Sequence, residues 1–233
     1  MNIDHTNAPL DAAQLATVNT TAVALAHEPA TWSFAQLGLN AALQSSAAQA
    51  GFITPTPVQV EALGYVLNGR DVLATAQTGS GKTAAYVLPV LQRLMATAAS
   101  RDEAPKKRIT QVLVLVPTRE LATQVSDVLR DLARPLTQSI KVGTVFGGVS
   151  INPQMMSLRS GADIVVATPG RLLDIVDHNA LNLGHVQHLV LDEADRLLDL
   201  GFAEELHRVL ALLPAKRQNL LFSATFEPAV QTL

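Results

Sequence analysis

Short apolar runs alternate with helical segments from about residue 70 to the end of the chain. Runs rich in β-branched residues and leucine predict six strands, at 71–75, 112–116, 142–146, 164–167, 188–191 and 220–222. The runs at 112–116 and 188–191 show no polar alternation, which is typical of strands that helices cover on both faces. The pattern therefore predicts an α/β fold, a doubly wound parallel sheet with helices on both faces.

The first third of the chain reads differently. Residues 1–31 are rich in Ala, Thr, Asn and Gln and carry no strong turn chemistry, so we expect a flexible tail. From Phe34 onward, apolar spacing leads through an Ala-rich helix to Gly51, a residue suited to the left-handed conformation that ends helices.

A second helix is predicted to begin at Thr56 and to reach about Leu67. Thr56 is a candidate N-cap, Pro57 occupies the first helical position, and Gln59 follows the cap by three residues, as in a capping box. Further on, the basic segment 98–108 interrupts the strand and helix pattern. We predict a solvated loop there in preference to a phosphate-binding segment.

Composition narrows the class of protein. Of the 233 residues, 48% are apolar and 16% are charged, which excludes disorder of the whole chain. The chain has no cysteine, which excludes disulfides and thiolate chemistry. A net charge of −3 excludes a protein that binds nucleic acid or anionic lipid through an overall positive charge. No apolar run approaches the roughly 18 residues of a membrane span, so we expect no membrane-spanning segment. Because Arg70 is the first basic residue, we also expect no leader sequence and a cytoplasmic protein.

Strand 71–75 runs into a glycine-rich segment that opens the next helix. In such a loop, backbone N–H groups surround phosphate oxygens and the helix N-terminus favours their charge. Ala76 occupies the position of the first glycine in the general pattern. An ordinary Gly/Ser turn without a ligand would not require Lys82 and Thr83 at the start of the helix. The candidate nucleotide-binding residues are Gln77, Thr78, Gly79, Ser80, Gly81, Lys82 and Thr83.

Three carboxylates follow the buried strand at 188–191. Asp192, Glu193 and Asp195 repel one another and are costly to desolvate unless a cation such as Mg²⁺ offsets their charge. A solvated helix N-terminus is the alternative, and it explains Asp195 better than the other two. Because ligands collect at the carboxyl ends of parallel strands, we expect Asp192 beside Thr83.

These and further segments, in this order, resemble the first RecA-like domain of a DEAD-box RNA helicase. The resemblance implies a RecA-like P-loop NTPase with an adenine-recognising Q-motif segment at residues 32–60 and an ATP-binding helicase domain at 61–233. The stretch from Gly147 to Phe202 further resembles the bacterial RhlE-like branch. The segments that carry the family resemblance are 51–59, 76–83, 117–122, 147–148, 168–171, 192–195 and 223–225.

The resemblance implies an adenine site. Gln59 would recognise the adenine edge, Phe52 would stack on the ring, Thr54 would add a polar contact, and Phe34 matches the family's upstream aromatic residue. Each residue also has a purely structural alternative: capping for Gln59, helix-end packing for Phe52 and Thr54, and a core anchor for Phe34.

The resemblance also implies catalytic roles. Glu193 would orient and activate the attacking water, while Lys82 and Mg²⁺ offset charge on the phosphates. Asp192 and Thr83 would hold the ion.

Two hydroxyls follow the last strand. In the family Ser223 and Thr225 bond to the last acid of the motif, here Asp195, and couple hydrolysis to strand separation. Capping of the next turn is the alternative for both hydroxyls.

RNA contacts are expected to be phosphate and sugar contacts without sequence preference. The resemblance places them at loop ends and helix N-termini, where Arg171 has the alternative role of an internal brace to a carboxylate such as Glu120. The candidate residues are Thr118, Arg119, Gly147, Gly148, Thr168, Gly170 and Arg171.

The expected function is that of the ATP-hydrolysing core of an RNA helicase, with ATP or ADP, Mg²⁺ and RNA as ligands. The second RecA-like domain, with its His-Arg-x-Gly-Arg segment, is absent from these residues, so we expect the chain to bind nucleotide and hydrolyse it poorly. The alternatives are an ATP-switched RNA clamp or scaffold and a related DNA helicase. A GTPase is disfavoured because the chain lacks Asn-Lys-x-Asp.

Overall fold

The structure is a computed structural model that describes residues 15–19, 32–99, 108–225 and 230. The strands are β1 (Leu15–Asn19), β2 (Asp71–Thr75), β3 (Val112–Leu115), β4 (Val142–Val145), β5 (Ile164–Ala167), β6 (His188–Asp192) and β7 (Gln218–Ser223). The helices are α1 (Ala41–Gln49), α2 (Pro57–Leu67), α3 (Lys82–Ala99), α4 (Arg119–Ala133), α5 (Ile151–Leu158), α6 (Pro169–Asp177), α7 (Ala194–Asp199) and α8 (Ala203–Ala211).

All seven strands form one parallel sheet in the order β1-β2-β7-β6-β3-β5-β4. The six predicted strands are confirmed as β2 to β7. The prediction of a flexible tail is wrong for Leu15–Asn19, which pair in parallel with Asp71–Thr75 at the sheet edge. The other residues of the predicted tail, and residues 100–107 of the predicted loop, lie outside the described part of the chain.

Two apolar cores flank the sheet. Alternate residues of β3 enter opposite cores: Val112 and Val114 pack with α1 to α4, whereas Leu113 and Leu115 pack with α6 to α8. This division explains the continuous apolar run in β3, because neither of its faces meets water. The doubly wound α/β prediction is confirmed. Among the described residues, no helix combines the length and apolarity that crossing a membrane requires.

Local chemistry sets the helix boundaries in the first third. The Asn40 side chain caps α1 by accepting from the Leu43 N–H at 2.9 Å, so this helix begins later than the apolar spacing from Phe34 suggests. Gly51 follows with φ +87°, as predicted for a residue that ends a helix.

A buried polar cluster ties α2 to the amino ends of the strands. His188 Nδ1 lies 2.9 Å from Gln218 Oε1, and Gln218 Nε2 donates to the carbonyl oxygens of Val66 and Arg70 at 3.1 and 2.6 Å. Burial lowers the pKa of His188 to about 4, against the opposing bond to Gln218 and with a further lowering by the Arg93 charge. The folded protein therefore holds this ring neutral.

We predict that His188 makes the protein less stable as the pH falls. Between pH 6.5 and about 4 the unfolded chain binds a proton that folded His188 refuses, so the unfolding free energy decreases with falling pH in that window. Relative to His188→Gln, the wild type should lose about 2 kcal/mol between pH 7 and 4.5, measured by urea denaturation.

The exposed His207 supplies the control, because its ring bonds only locally to the Ala203 carbonyl. His207→Gln reports any general effect of losing a histidine. A wild type and a His188→Gln variant with parallel pH profiles would contradict the prediction.

Candidate active site

The loop between β2 and α3 forms a concave backbone turn. Gly79 and Gly81 have φ of +79° and +93°, a region that side chains disfavour, and they turn the chain back toward the N-terminus of α3. The Ser80 hydroxyl is buried without a hydrogen-bond partner, while Gln77 and Thr78 are exposed at the loop tip. The turn has the shape and the spare donors that a phosphate group requires.

Lys82 is the first residue of α3, and its side chain is 7% exposed. Its Nζ crosses the loop and donates to the Ala76 carbonyl oxygen at 2.5 Å. The backbone N–H of Ala76 donates in turn to the Ser223 carbonyl oxygen at 3.0 Å, which ties the loop to β7. The ammonium group is therefore held inside the turn, where it also interacts with the Asp192 carboxylate.

Gln59 joins the start of α2 to the phosphate loop. Its Oε1 accepts from the Thr56 N–H at 3.0 Å, which confirms that part of the predicted cap, and its Nε2 donates to the Gly81 carbonyl oxygen at 3.0 Å. A Cβ at Gly81 would lie 2.5 Å from Gln59 Nε2 and 2.9 Å from Thr56 Oγ1, and the φ of +93° adds strain for any side chain, so glycine is favoured there. Sequence reasoning missed this contact.

The other proposed adenine residues occupy different environments. Phe34 is buried in the core that contains α1 to α4, in agreement with the core-anchor alternative. Phe52 is half-buried and packs against the same core, and Thr54 is exposed beside it. Their contacts with adenine stay predictions.

Asp192 lies at the carboxyl end of β6 and is 2% exposed. Its Oδ2 accepts from the Tyr86 hydroxyl at 2.8 Å, and its Oδ1 accepts from the Glu193 N–H at 3.0 Å. Burial raises the pKa of Asp192 to about 6, even though Tyr86 and the Lys82 charge oppose the shift. Burial and the Asp192 carboxylate raise the pKa of the Tyr86 hydroxyl well above its usual value, so the hydroxyl stays protonated.

Glu193 adopts the left-handed conformation with φ +51° and ψ +54°, an unfavourable conformation for a residue with a long side chain. Its Oε2 forms an ion pair with Arg196 Nη1 at 3.1 Å. The turn directs the chain from β6 straight into α7. Strained backbone of this kind persists where the surrounding structure enforces it.

Asp195 bridges α7 to the end of β7. Its Oδ2 accepts from the N–H groups of Ala224 and Thr225 at 3.1 and 3.0 Å and from the Thr225 hydroxyl at 3.1 Å. Its own N–H donates to Ser223 Oγ at 3.3 Å. Although burial opposes the shift, these bonds and the Arg196 N–H lower the pKa of Asp195. The expected contact between this acid and both hydroxyl residues is present.

The remaining candidate residues follow β3, β4 and β5. Thr118 caps α4 by accepting from the Leu121 N–H at 3.2 Å, and exposed Arg119 pairs with Glu120 at 3.3 Å. Gly147 and Gly148 lie in the turn after β4, where Gly148 has φ +80°.

The start of α6 supplies the last group. Thr168 is its N-cap and keeps its hydroxyl out of the cap bond, and Gly170 leaves open space where a side chain would stand. Arg171 pairs with Asp174 at 3.4 Å, so it does brace a carboxylate, as the alternative expects, but the partner is Asp174 and not Glu120. Its Nε and Nη1 atoms are buried without hydrogen bonds.

Strand order separates the candidate residues into two neighbouring groups. The groups expected to bind nucleotide follow β2, β7 and β6, and those expected to bind RNA follow β3, β5 and β4. A family model described as DEAD/DEAH box helicase matches residues 56–233. The chain belongs to the DEAD/DEAH box helicase family.

Named helicases resemble this DEAD-box chain over 86% of its length. Probable ATP-dependent RNA helicase ddx27 of Dictyostelium discoideum is 44% identical, and the match spans 25% of that protein. ATP-dependent RNA helicase DeaD of Escherichia coli strain K12 is 43% identical over 30% of its length. DEAD-box ATP-dependent RNA helicase CshA of Streptococcus pneumoniae is 42% identical over 36% of its length. The chain therefore spans about a quarter to a third of these relatives.

A solved structure supports the same assignment. The crystal structure of a DEAD box protein from the hyperthermophile Methanococcus jannaschii superimposes with a TM-score of 0.74 and 34% identity. The match covers 85% of this chain and 52% of that one. The RecA-like fold is confirmed. These relatives do not test the resemblance to the RhlE-like branch, which stays a prediction.

The side chains expected to hold Mg²⁺ in this DEAD-box chain suit that ion. Thr83 and Asp192 offer a hydroxyl and a buried carboxylate, the hard oxygen donors that Mg²⁺ prefers, and Mg²⁺ takes its other ligands from phosphates and water. The raised pKa of Asp192 also shows that a cation nearby would relieve an unfavourable buried charge. Within the described residues, no group of three or more His, Cys, Asp or Glu side chains is arranged to hold a metal ion.

Two further contacts at the candidate site of the DEAD-box chain escaped sequence reasoning. Tyr86 bonds to Asp192 from α3, and Arg196 pairs with Glu193. A tyrosine four residues after Lys82, within the apolar run Ala84–Leu91 of the helix, was the available signal for the first contact. For the second, the signal was a basic residue three positions after an acid.

Proposed function

We propose that this chain forms the ATP-binding part of an RNA helicase that couples Mg-ATP hydrolysis to sequence-independent RNA binding and local duplex unwinding. The observation that carries the proposal is the division of one sheet edge into adjoining nucleotide and RNA groups. A second RecA-like domain would complete both sites in the longer relatives. A cytoplasmic location stays a prediction.

The names of the relatives support RNA as the substrate. DeaD, CshA and ddx27 are each named as RNA helicases, and no observation favours a DNA helicase or a clamp without unwinding. Since the chain spans a third or so of those proteins, strand separation by the whole protein belongs to this proposal.

Adenine recognition by Gln59 is compatible with its observed bonds. An amide oxygen accepts two hydrogen bonds and an amide nitrogen donates two. Thr56 and Gly81 use one of each, so one acceptor position and one N–H remain for N6 and N7 of adenine. Nucleotide binding would thereby be sensed at the phosphate loop through a single side chain.

Hydrolysis would use groups already gathered at the ends of β2 and β6. Lys82 places a positive charge in the phosphate turn, and Glu193 would orient a water and accept its proton. To act on water, the Glu193 carboxylate must leave or share its ion pair with Arg196. Thr83 and Asp192 would hold Mg²⁺, which would supply charge neutralisation at the phosphates.

Coupling to RNA would run through Asp195. Its bonds to residues 224 and 225 tie the helix after Glu193 to the chain that leaves β7. We call residues 192–195 the acidic turn. A shift of the acidic turn on hydrolysis would therefore move the end of β7 as well.

The protein would bind RNA through the sugar-phosphate backbone of the RNA. Arg119 presents an exposed guanidinium, Thr168 has a hydroxyl that does not cap its helix, and the α6 N-terminus favours a phosphate. Such groups do not distinguish bases, so binding without sequence preference follows.

We predict that Gln59 sets a preference for adenine nucleotides. The amide matches N6 and N7 of adenine but meets O6 of guanine with the wrong polarity. Calorimetry should show ADP binding more tightly than GDP or CDP, and Gln59→Ala should remove most of that difference, about tenfold in affinity.

Gln92 provides a matched control, because its amide also bridges two backbone groups, the Asn40 N–H and the Gly38 carbonyl. Gln92→Ala should keep the preference for ADP. Equal affinity of the wild type for all three nucleotides would contradict the adenine assignment.

We predict that Glu193→Gln retains nucleotide binding and lowers ATP hydrolysis by roughly 10²-fold, the usual scale for a positioned acid-base group. The measurement is single-turnover hydrolysis, with excess protein, Mg²⁺ and RNA, in a protein that also carries the second RecA-like domain. Arg196→Gln is the control, since it breaks the same ion pair and keeps the carboxylate. Undiminished hydrolysis in Glu193→Gln would remove this residue from the mechanism.

We predict weak binding of single-stranded RNA with a slope of log K against log salt of about −1 to −3, because each neutralised phosphate contributes about −0.7. Arg119→Ala should reduce both affinity and slope, whereas Thr168→Val should reduce affinity alone. Fluorescence anisotropy with labelled homopolymers across a salt series provides the measurement.

Arg134 is the control for Arg119, because it forms a similar exposed ion pair, with Asp131, at the opposite end of α4. Arg134→Ala should bind RNA as the wild type does. A steep slope, or a strong preference for one homopolymer, would mean that another surface binds the RNA.

A further inference from the structure

Tyr86 places a polar group in the apolar contact between α3 and the sheet. The side chain is 1% exposed, and its ring packs on Phe222 of β7 with centroids 5.2 Å apart and planes tilted by 53°. Ring packing alone would be served equally by phenylalanine. The hydroxyl therefore requires a separate explanation, since burying a polar group is costly unless it is hydrogen-bonded.

The Tyr86 hydroxyl meets both side chains that are expected to hold Mg²⁺. It donates to Asp192 Oδ2 at 2.8 Å, and the Thr83 side chain, three residues earlier in α3, is close enough to interact with the same hydroxyl. The Glu193 N–H holds the other carboxylate oxygen, Oδ1, at 3.0 Å. One buried hydroxyl thus connects a helix residue of the phosphate loop to the acid at the end of β6.

We infer that Tyr86 is a positioning residue that presets Asp192 and Thr83 for the Mg²⁺ of the bound nucleotide. The inference rests on the proposed function. A carboxylate fixed at both oxygens keeps one rotamer, so less ordering remains to be done when the ion binds. Groups that bond to metal ligands from behind commonly change metal affinity by 10- to 100-fold.

The test is Tyr86→Phe, which removes the hydroxyl and keeps the ring on Phe222. Affinity for a fluorescent ADP analogue is measured in EDTA and across a Mg²⁺ series, alongside thermal unfolding. We expect EDTA affinity within about twofold of the wild type and Mg²⁺ affinity of the nucleotide complex lower by about tenfold.

The chain contains two tyrosines, which gives a matched control. Tyr65 lies on α2 with its ring against the Arg70 guanidinium, at 5.1 Å. Tyr65→Phe makes the same chemical change away from the site and should leave the Mg²⁺ series unchanged. Equal Mg²⁺ affinity in Tyr86→Phe and the wild type would overturn the inference.

A double-mutant cycle separates positioning from general loosening of the fold. If Tyr86 acts through Asp192, removing its hydroxyl should have little further effect in an Asp192→Asn background. Fully additive losses would overturn the inference. A wild type whose nucleotide affinity ignores Mg²⁺ would instead contradict the proposed function, so the two failures are distinguishable.

A measurement that keeps the hydroxyl covers the case in which Tyr86→Phe does not fold. In Tyr65→Phe protein labelled with 3-fluorotyrosine, Tyr86 is the sole fluorine reporter. Its resonance should shift when Mg²⁺ is added to the ADP complex. An unmoved resonance at saturating Mg²⁺ would overturn the inference.

Discussion

The candidate site depends on the parallel pairing of β2 with β7 and of β7 with β6. Parallel strands bring their carboxyl ends to one edge, and this order sets the phosphate loop, residues 223–225 and the acidic turn side by side. β3 joins β6 on its far side, so the remaining loops continue the same edge. With another strand order, the same residues would lie too far apart to act together.

A few polar contacts hold that edge in shape. Gln59 fixes the phosphate loop to α2, Lys82 crosses the loop from within, and Asp195 ties α7 to the end of β7. The contacts of Gln59 and Asp195 join elements that are distant in sequence. Because buried donors and acceptors are costly when left unpaired, these bonds hold backbone turns that the apolar cores alone would not define.

The acidic turn carries unfavourable features that ligand binding would relieve. Asp192 is a buried carboxylate with a raised pKa, and Glu193 holds a left-handed backbone conformation. A cation beside Asp192 favours its charged form. The Glu193 carboxylate pairs with the exposed Arg196 side chain, a contact that solvent can replace. The site where phosphate chemistry would take place therefore contains two residues that lower the stability of the folded protein.

The sequence by itself determined the six strands β2 to β7, the phosphate loop and the family, because these depend on local periodicity and on short motifs such as Lys82-Thr83. The tertiary structure decided the partners of the side chains. It buried Phe34 in a core and joined Tyr86 to Asp192. It also added Leu15–Asn19 to the sheet. Such contacts follow from which strands are neighbours, and local sequence patterns do not specify strand order.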